Sequence, residues 1–283
     1  MQHTYQKAGY LHTDFKLFHL MDSNQKDFDF HYHDFYKVLI FLSGNVSYLI
    51  EGNTYALQPE DIILVPAGEV HKPVIHDNAP YERLIVYLSA HFFTPFQTMD
   101  YDLFSCFCKV KETQSHLIRV SAIPDSTLHN AIYALRDSFH SNAYAASLEQ
   151  HIVWMNLLLE LNRQILSNQD SLTAPKSSNP VVQKAMLYIA EHLTDSLSID
   201  DIAASLYLNR SYLMHLFKAE TGSTIGKYIT DKRLFLANSL LQNGVSITEA
   251  CYKSGFPSYS AFYRSYKAKY HVLPKDALKR ILP

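Results

Sequence analysis

Cysteine, long apolar runs and net charge are all scarce in this sequence, and each shortage excludes a class of protein. The 283 residues contain three cysteines, too few for a disulfide framework, and Cys106 and Cys108 are too close together for a zinc motif. No apolar stretch reaches the roughly 18–20 residues of a membrane span, and the first residues lack the apolar core of a signal peptide. We therefore expect a protein of the reducing cytoplasm that has no membrane partner.

The composition is that of a globular protein with an uneven distribution of charge. Hydrophobic residues make up 47% and charged residues 18% of the chain, which excludes a disordered protein, and the length corresponds to about two domains. Residues 176–283 carry 14 Lys and Arg against 8 Asp and Glu, whereas residues 1–175 carry 11 against 19 and hold twelve of the fifteen histidines. A basic piece joined to an acidic, histidine-rich piece predicts two tasks, one of them contact with a polyanion.

Residues 10–90 have the pattern of an antiparallel β-structure. Short β-branched and aromatic runs alternate with Gly, Pro and Asn at intervals of roughly 8–12 residues, which is typical of a sandwich or barrel. The runs are 37–43, 46–50, 54–57, 62–65 and 83–88. Residues 92–122 are ambiguous and receive no assignment, and the predicted barrel domain spans residues 1–122.

The following residues, 123–166, change to helical periodicity. A first helix is expected from Asp125 and a second from Ser147. The apolar residues of the second helix form a wide stripe: Ile152, Met155, Leu158, Leu159, Ile165 and Leu166. A stripe of this width indicates burial against more than one partner, so we predict that 123–166 is the helical dimerisation segment of a homodimer. The alternative is a helix that packs only on its own barrel.

A polar stretch rich in Ser and Pro, residues 167–180, predicts a linker between domains. Beyond it, residues 181–283 are helical in pattern and contain an internal repeat. The two copies are residues 198–222 and residues 246–270. Because the copies share their spacing of Ser, Ile and acidic residues, we expect them to fold in the same way.

Each copy is predicted to form a short helix, a tight turn and a second helix. Ser198 and Ser246 precede the first helices in the manner of N-caps, and Gly255 lies in the turn of the second copy. Residues 224–241, between the copies, predict one helix of about 27 Å. This length is close to the roughly 34 Å of one DNA turn, so the connecting helix is suited to hold two second helices against one side of a duplex.

In each second helix the apolar positions lie three and four residues apart, which leaves the opposite face polar and basic. A small helix followed by such a helix is a helix-turn-helix unit, whose second helix enters the major groove. In the first copy the predicted DNA-binding residues are Arg210, Ser211, Met214, His215 and Lys218. In the second copy they are Tyr259, Ser260, Tyr263, Arg264 and Lys267. The alternative is a helical bundle with only a packing role, and the positive charge of the region argues against it.

The repeat resembles the AraC/XylS family of transcription regulators over roughly 100 residues. The resemblance is carried by residues 202–204, 211–213, 216–222, 255–256 and 262–267. It implies a cytoplasmic homodimer that binds double-stranded promoter DNA, contacts RNA polymerase and activates transcription in response to a small-molecule effector. The sequence departs from the family at His271, where Gly is usual, and at Ala277-Leu278, where Tyr-Arg is common.

Four residues of the predicted barrel resemble the cupin metal site in their spacing. His31 and His33 form a His-x-His pair, and His71 follows the turn at residues 66–68. In metal-dependent cupins a Glu stands four residues after the second His, but here that position holds Lys37, whose charge opposes a metal ion. We interpret His31, His33, Lys37 and His71 as effector-binding residues, with no metal and no cofactor.

The resemblance to the regulators implies that the effector is a sugar or a related metabolite and that the protein is not an enzyme. Two alternatives stay open from the residues. One is a metal-dependent cupin enzyme, an isomerase or dioxygenase, with an accessory helical domain. The other is a regulator whose histidine-rich barrel senses a metal or pH. The expected fold is α+β and multidomain, with an N-terminal antiparallel β-barrel, flanking helices and a C-terminal all-α domain of two helix-turn-helix units joined by a long helix.

Overall fold

The computed structural model describes residues 11, 13–22, 28–123, 126–167, 171–173, 176–177, 179–242 and 244–279. The contacts divide the chain into two compact units, unit 1 from Met1 to Lys176 and unit 2 from Ser177 to Pro283. Unit 1 combines antiparallel sheets with helices, and unit 2 is helical from Pro180 onward, so the predicted fold class is confirmed. None of the helices in the described ranges is long and apolar enough to cross a membrane.

The strands of unit 1 form two sheets. The strands are β1 (Phe15–Asp22), β2 (Tyr36–Ser43), β3 (Val46–Ile50), β4 (Asn53–Ala56), β5 (Ile62–Val65), β6 (His71–Ile75), β7 (Tyr81–Leu88), β8 (Leu117–Ile118), β9 (Leu172–Thr173) and β10 (Lys176–Ser177). One sheet has six strands in the order β1-β7-β2-β5-β8-β9, and the other has four in the order β10-β4-β3-β6. The strands β9 and β10 fall within the stretch whose composition predicts a linker.

The burial patterns of β2 and β3 explain how the two sheets pack. In β3, Val46, Tyr48 and Ile50 are buried while the residues between them are half-buried, so one face points to the interior. In β2 both faces are covered, which accounts for its unbroken apolar run. Leu39 of β2 joins the apolar cluster shared with β3, whereas Val38 joins the cluster shared with the helices. The six-stranded sheet is therefore the middle layer of unit 1.

The helices of unit 1 cover the outer face of that sheet. They are α1 (Ala90–Phe93), α2 (Ser105–Thr113), α3 (Thr127–Ser138) and α4 (Ala146–Ser167). Ser126 caps α3, because its side chain accepts the N–H of Leu128; the predicted cap Asp125 lies outside the described residues. The helix α4 begins at Ala146, so Ser147 lies inside its first turn and the prediction that Ser147 caps it is wrong. The buried Trp154 of α4 packs in the core.

Unit 2 confirms the predicted repeat. Its helices are α5 (Pro180–Glu191), α6 (Ile199–Ser205), α7 (Arg210–Thr221), α8 (Ile225–Gln242), α9 (Ile247–Lys253), α10 (Tyr259–Tyr270) and α11 (Pro274–Lys279). Ser198 and Ser246 cap the first helix of each copy, and Ser198 forms a capping box with Asp201. The turn before α10 contains Gly255 at φ +85°, where an added Cβ would lie 2.6 Å from the carbonyl oxygen of Leu193.

Candidate functional site

The first candidate surface lies on α7. Leu213 and Phe217 are fully buried, and the Phe217 ring contacts that of Tyr228 in α8 at 5.4 Å between centroids. Burial of this face turns the opposite face of the helix to solvent. All five residues predicted to contact DNA from the first copy are exposed: Arg210, Ser211, Met214, His215 and Lys218.

The N-terminal end of α7 is fixed by two polar contacts. The side chain of Asn209 accepts the backbone N–H of Ser211, which caps the helix. The guanidinium of Arg210 pairs with the carboxylate of Asp200 in α6 at 2.5 Å, and both side chains are more than half exposed. Because an exposed ion pair contributes little stability, the Arg210 guanidinium is available to exchange Asp200 for another anion.

The second candidate surface lies on α10. Its inner face is tied to α8 by two hydrogen bonds, from the Tyr266 hydroxyl to Asn238 Oδ1 at 2.7 Å and from the Tyr270 hydroxyl to the carbonyl of Leu234 at 3.2 Å. On the outer face Tyr259, Ser260, Arg264 and Lys267 are exposed, and Tyr263 is half-buried. The long helix α8 thus packs against both second helices of the repeat.

Not every basic residue of unit 2 faces solvent. Arg233 of α8 donates from Nε to the carbonyl of Leu193 at 2.9 Å and from Nη2 to the carbonyl of Asp195 at 2.7 Å. Burial lowers the pKa of this guanidinium. Arg233 therefore contributes to the basic composition of the unit but has a structural role, binding the segment that follows α5.

The three predicted histidines of unit 1 lie together. His31 and His71 form an antiparallel bridge, with the N–H of each residue bonded to the carbonyl of the other at 3.1 and 2.9 Å. Their ring centroids are 4.4 Å apart, and that of His33 is 4.8 Å from His71 and 6.3 Å from His31. The sequence separates these residues by up to 40 positions, and the β-structure joins them in one cluster.

Hydrogen bonds to backbone carbonyls determine which ring nitrogen of each of these histidines is protonated. The Nδ1 atoms of His31, His33 and His71 lie 2.9, 2.7 and 2.9 Å from the carbonyl oxygens of Asp29, Phe35 and Glu69. A carbonyl only accepts, so each Nδ1 holds a proton, and in neutral His33 and His71 the Nε2 atom presents a lone pair. Among the described residues the Nε2 atoms of His33 and His71 are buried without a hydrogen-bond partner. Burial, and then the charge of Lys37, lower the pKa of both imidazoles well below 6.5.

Lys37 shares this buried environment. Its side chain is on β2, opposite Val65 and Tyr87, and the residue is 3% exposed. The ammonium donates a hydrogen bond to the Tyr48 hydroxyl at 2.8 Å. Burial, and then the nearby charge of Arg83, lower the pKa of Lys37 to about 7. In the part of the chain that the structure describes, no group of three or more His, Cys, Asp and Glu side chains is arranged to hold a metal ion.

The two regions that bear these surfaces match known families. The helix-turn-helix domain family matches residues 202–280, and the AraC-like ligand binding domain family matches residues 18–158. The chain belongs to the AraC family of transcription regulators. Because this family consists of regulators, the prediction that the chain is not an enzyme is confirmed, and the metal-dependent enzyme is excluded.

Three comparisons show how far the likeness to individual AraC-family proteins extends. The chain is 35% identical over 100 residues to the xylose operon regulatory protein of Escherichia coli K12, which covers 35% of this chain and 26% of that protein. It is 23% identical over 257 residues to the transcriptional activator RhaS of Shigella sonnei, covering 89% and 88% of the two chains. ToxT from Vibrio cholerae aligns over 96% of this chain and 100% of its own, at a TM-score of 0.39 and 17% identity. The chain thus spans about a quarter of the length of the xylose operon regulator.

A buried network beside the histidines is absent from the sequence prediction. The carboxylate of Glu69 accepts a hydrogen bond from His116 Nε2 at 2.7 Å, and His116 Nδ1 accepts one from the Tyr55 hydroxyl at 3.0 Å. The three residues come from separate segments of the AraC-like domain, so no local spacing joins them. The only sequence signal is that Glu69 stands two residues before His71. These hydrogen bonds keep the Glu69 carboxylate against the His116 ring.

Proposed function

We propose that this AraC-family chain is a cytoplasmic, ligand-responsive transcription activator. The outer faces of α7 and α10 bind consecutive major grooves of promoter DNA, and His31, His33, Lys37 and His71 bind a small-molecule effector in unit 1. The observation that carries the proposal is that two capped helices, each buried on its inner face, are packed on the same long helix α8 and present exposed polar residues. As an activator, the DNA-bound protein contacts RNA polymerase.

The DNA interface has two kinds of contact. Lysine and arginine side chains neutralise phosphates, and the polar side chains near the start of each outer helix are suited to read base edges. Arg264 is the side chain best suited to bidentate recognition of guanine, whereas Met214 and His215 favour looser reading through thymine methyl groups and a single hydrogen bond. We therefore expect α10 to contribute more sequence discrimination than α7.

Replacement of Arg264 by Ala tests this interface. We expect affinity for DNA fragments selected from a random pool by the wild-type protein to fall about 5- to 150-fold, with relaxed preference at one base pair. Lys184→Ala removes an exposed lysine from α5 of the same unit and is the control. Fluorescence anisotropy over a series of salt concentrations provides the measurement, and equal binding by the Arg264 variant and the wild type would contradict the proposed docking.

The outer face of α4 is proposed to pair two copies of the chain. Its inner residues pack in the core, while a second apolar row consists of four exposed residues and the half-buried Met155: Leu148, Ile152, Met155, Leu159 and Leu166. These positions follow a spacing of four, three, four and seven residues, which is the heptad spacing of helices that coil around one another. The matching surface on a second copy is the partner, and a dimer brings two DNA-binding units to adjacent sites.

Substitution of Ile152 by Asp tests the dimer. We expect a charge in the centre of this row to weaken self-association at least about tenfold, because it would be buried unpaired in the interface. Leu187→Asp, on the exposed surface of α5, is the matched control. Sedimentation velocity over a range of concentrations measures the change, and unchanged association of the Ile152 variant would place the interface elsewhere.

The effector is proposed to be a sugar or a related metabolite. This part of the proposal is supported by the likeness to the xylose operon regulatory protein and by the buried hydrogen-bond acceptors at Nε2 of His33 and His71. Binding of the effector shifts the equilibrium between different arrangements of the DNA-binding units.

A further inference from the structure

Lys37 is a buried basic residue with few polar contacts among the described residues. Its ammonium donates a hydrogen bond to the Tyr48 hydroxyl, and among the described residues no carboxylate lies within ion-pairing distance of it. The charged and titratable groups that face it are Arg83 of β7 and the imidazoles of His33 and His71. None of these is acidic, so the described part of the chain leaves the Lys37 charge uncompensated.

The other buried cation of this region, Arg83, has an acidic partner. Its guanidinium pairs with the carboxylate of Asp22 at 2.6 Å. An isolated charge in a protein interior is costly unless it is paired, and Arg83 follows that rule. Lys37 does not follow it among the described residues, and it lies near two imidazoles, those of His33 and His71, whose Nε2 atoms also have no described partner. The unmet requirements of the site are therefore one negative charge and two hydrogen-bond donors.

A single kind of small molecule meets both requirements. We propose that the effector is a hydroxylated carboxylic acid, such as a sugar acid, whose carboxylate pairs with Lys37 and whose hydroxyls donate to Nε2 of His33 and His71. This inference rests on the effector function proposed for the site. A single ammonium matches the one charge of a carboxylate, and neutral imidazoles with a lone pair at Nε2 are suited to hydroxyl donors rather than to further anionic oxygens.

Binding of such a ligand takes up a proton when the pH is above about 7. In the free protein burial lowers the pKa of Lys37 to about 7, so the amine is largely neutral at pH 8.5. A bound carboxylate favours the ammonium, and protonation then accompanies binding. We expect the affinity for the acid to fall about tenfold for each pH unit above 7 and to level off below it, whereas the affinity for a neutral sugar shows no such dependence.

Thermal unfolding of the full chain tests the proposal with two sets of probes. The first is sodium acetate against sodium chloride at equal ionic strength, and the second is D-galacturonate and D-glucuronate against D-galactose and D-glucose. Each is applied to the wild type, to Lys37→Met and Lys37→Gln, and to Lys111→Met, which removes an exposed lysine from α2. Two neutral replacements are used so that a folding defect in one variant does not decide the result.

We expect 50 mM acetate to raise the melting temperature of the wild type and of Lys111→Met by about 2 °C or more relative to chloride, and the sugar acids to exceed their neutral parents. Both Lys37 variants should respond equally to acetate and chloride. A wild-type protein that does not distinguish the two salts, or a Lys37 variant that still does, overturns the proposal.

One further outcome separates this inference from the function on which it rests. A neutral sugar that stabilises the wild type more than its acid, with an effect lost in His33→Ala, would overturn the carboxylate assignment and leave the effector site in place. Failure of the Arg264 substitution to alter DNA affinity would instead contradict the proposed docking of α10 on DNA and leave the effector assignment untouched.

Discussion

The proposed effector site of unit 1 and the outer helices of unit 2 present their charges in opposite ways. On α7 and α10 the basic side chains are exposed, and Arg210 already has an anionic neighbour in Asp200. At the proposed effector site Lys37 is buried and has no acidic neighbour among the described residues. An exposed charge costs little stability in the absence of DNA, whereas a buried one lowers the stability of the free protein. The difference suits a surface proposed to bind a large polyanion and a site proposed to select one small molecule.

The largest expected effect concerns the stability cost of Lys37. Its pKa is about 7 in the folded protein and 10.5 in the unfolded chain, so the unfolded chain binds the extra proton between these values. The free energy of unfolding of the wild type should therefore gain up to about 1.4 kcal/mol per pH unit from this group as the pH rises from 7 towards 10.5, with the full cost present below pH 7.

Lys37→Met should lack this gain and be more stable than the wild type at pH 7, by an amount that shrinks as the pH rises. Urea unfolding at pH 7, 8 and 9 without ligand measures the difference, with Lys111→Met as the control. A Lys37→Met protein that is less stable than the wild type at pH 7 would show that the lysine is compensated within the protein, and the contrast with the outer helices would disappear.

A smaller effect is expected from Gly255→Ala, which tests whether the outer helices depend on their turn. The added methyl would approach the Leu193 carbonyl to 2.6 Å at a backbone φ of +85°, so we expect a loss of at least about 2 kcal/mol from unit 2. Gly226→Ala is the matched control, because no atom lies within 4 Å of a Cβ there, and it should be neutral or stabilising by up to about 1 kcal/mol.

Because Gly255→Ala destabilises unit 2, it should reduce DNA binding. It should leave the stabilisation of unit 1 by a ligand unchanged. Denaturation monitored by circular dichroism, combined with the DNA-binding assay, separates the two effects. An unchanged unfolding midpoint for the Gly255 variant would mean that the backbone near Leu193 relaxes without cost, so that the turn does not require glycine.

Sequence alone predicts the outer helices far better than the pocket, and the reason is physical. Helix caps and apolar spacing are local, so Ser198 and Ser246 mark helix starts within a few residues of themselves. The runs 46–50 and 62–65 coincide with β3 and β5 for the same reason, since each is bounded by turn residues. The spacing of His31, His33 and His71 also predicts that these three side chains lie close together, as they do in the structure.

What the sequence misses depends on contacts between distant segments. The strand β6 contains Pro73 and begins at His71, and α2 buries only a short apolar row, so neither has a strong periodic pattern. The network of Glu69, His116 and Tyr55 is formed by segments up to 61 residues apart. That Lys37 has no acidic neighbour among the described residues likewise depends on the whole fold, because no single stretch of sequence determines what surrounds a side chain.

The packing of α7 and α10 on the one helix α8 has a consequence for promoter choice. Both helices contact α8, α7 through the Phe217–Tyr228 ring contact and α10 through the Tyr266–Asn238 hydrogen bond. The separation of α7 and α10 is therefore fixed when unit 2 folds. On the proposed function, an effector changes where unit 2 binds, and whether the units of two copies bind neighbouring sites together. It does not change the distance between the two groups of base pairs that one unit contacts. Operators for this protein should differ in the gap between half-sites while the layout inside each half-site stays constant.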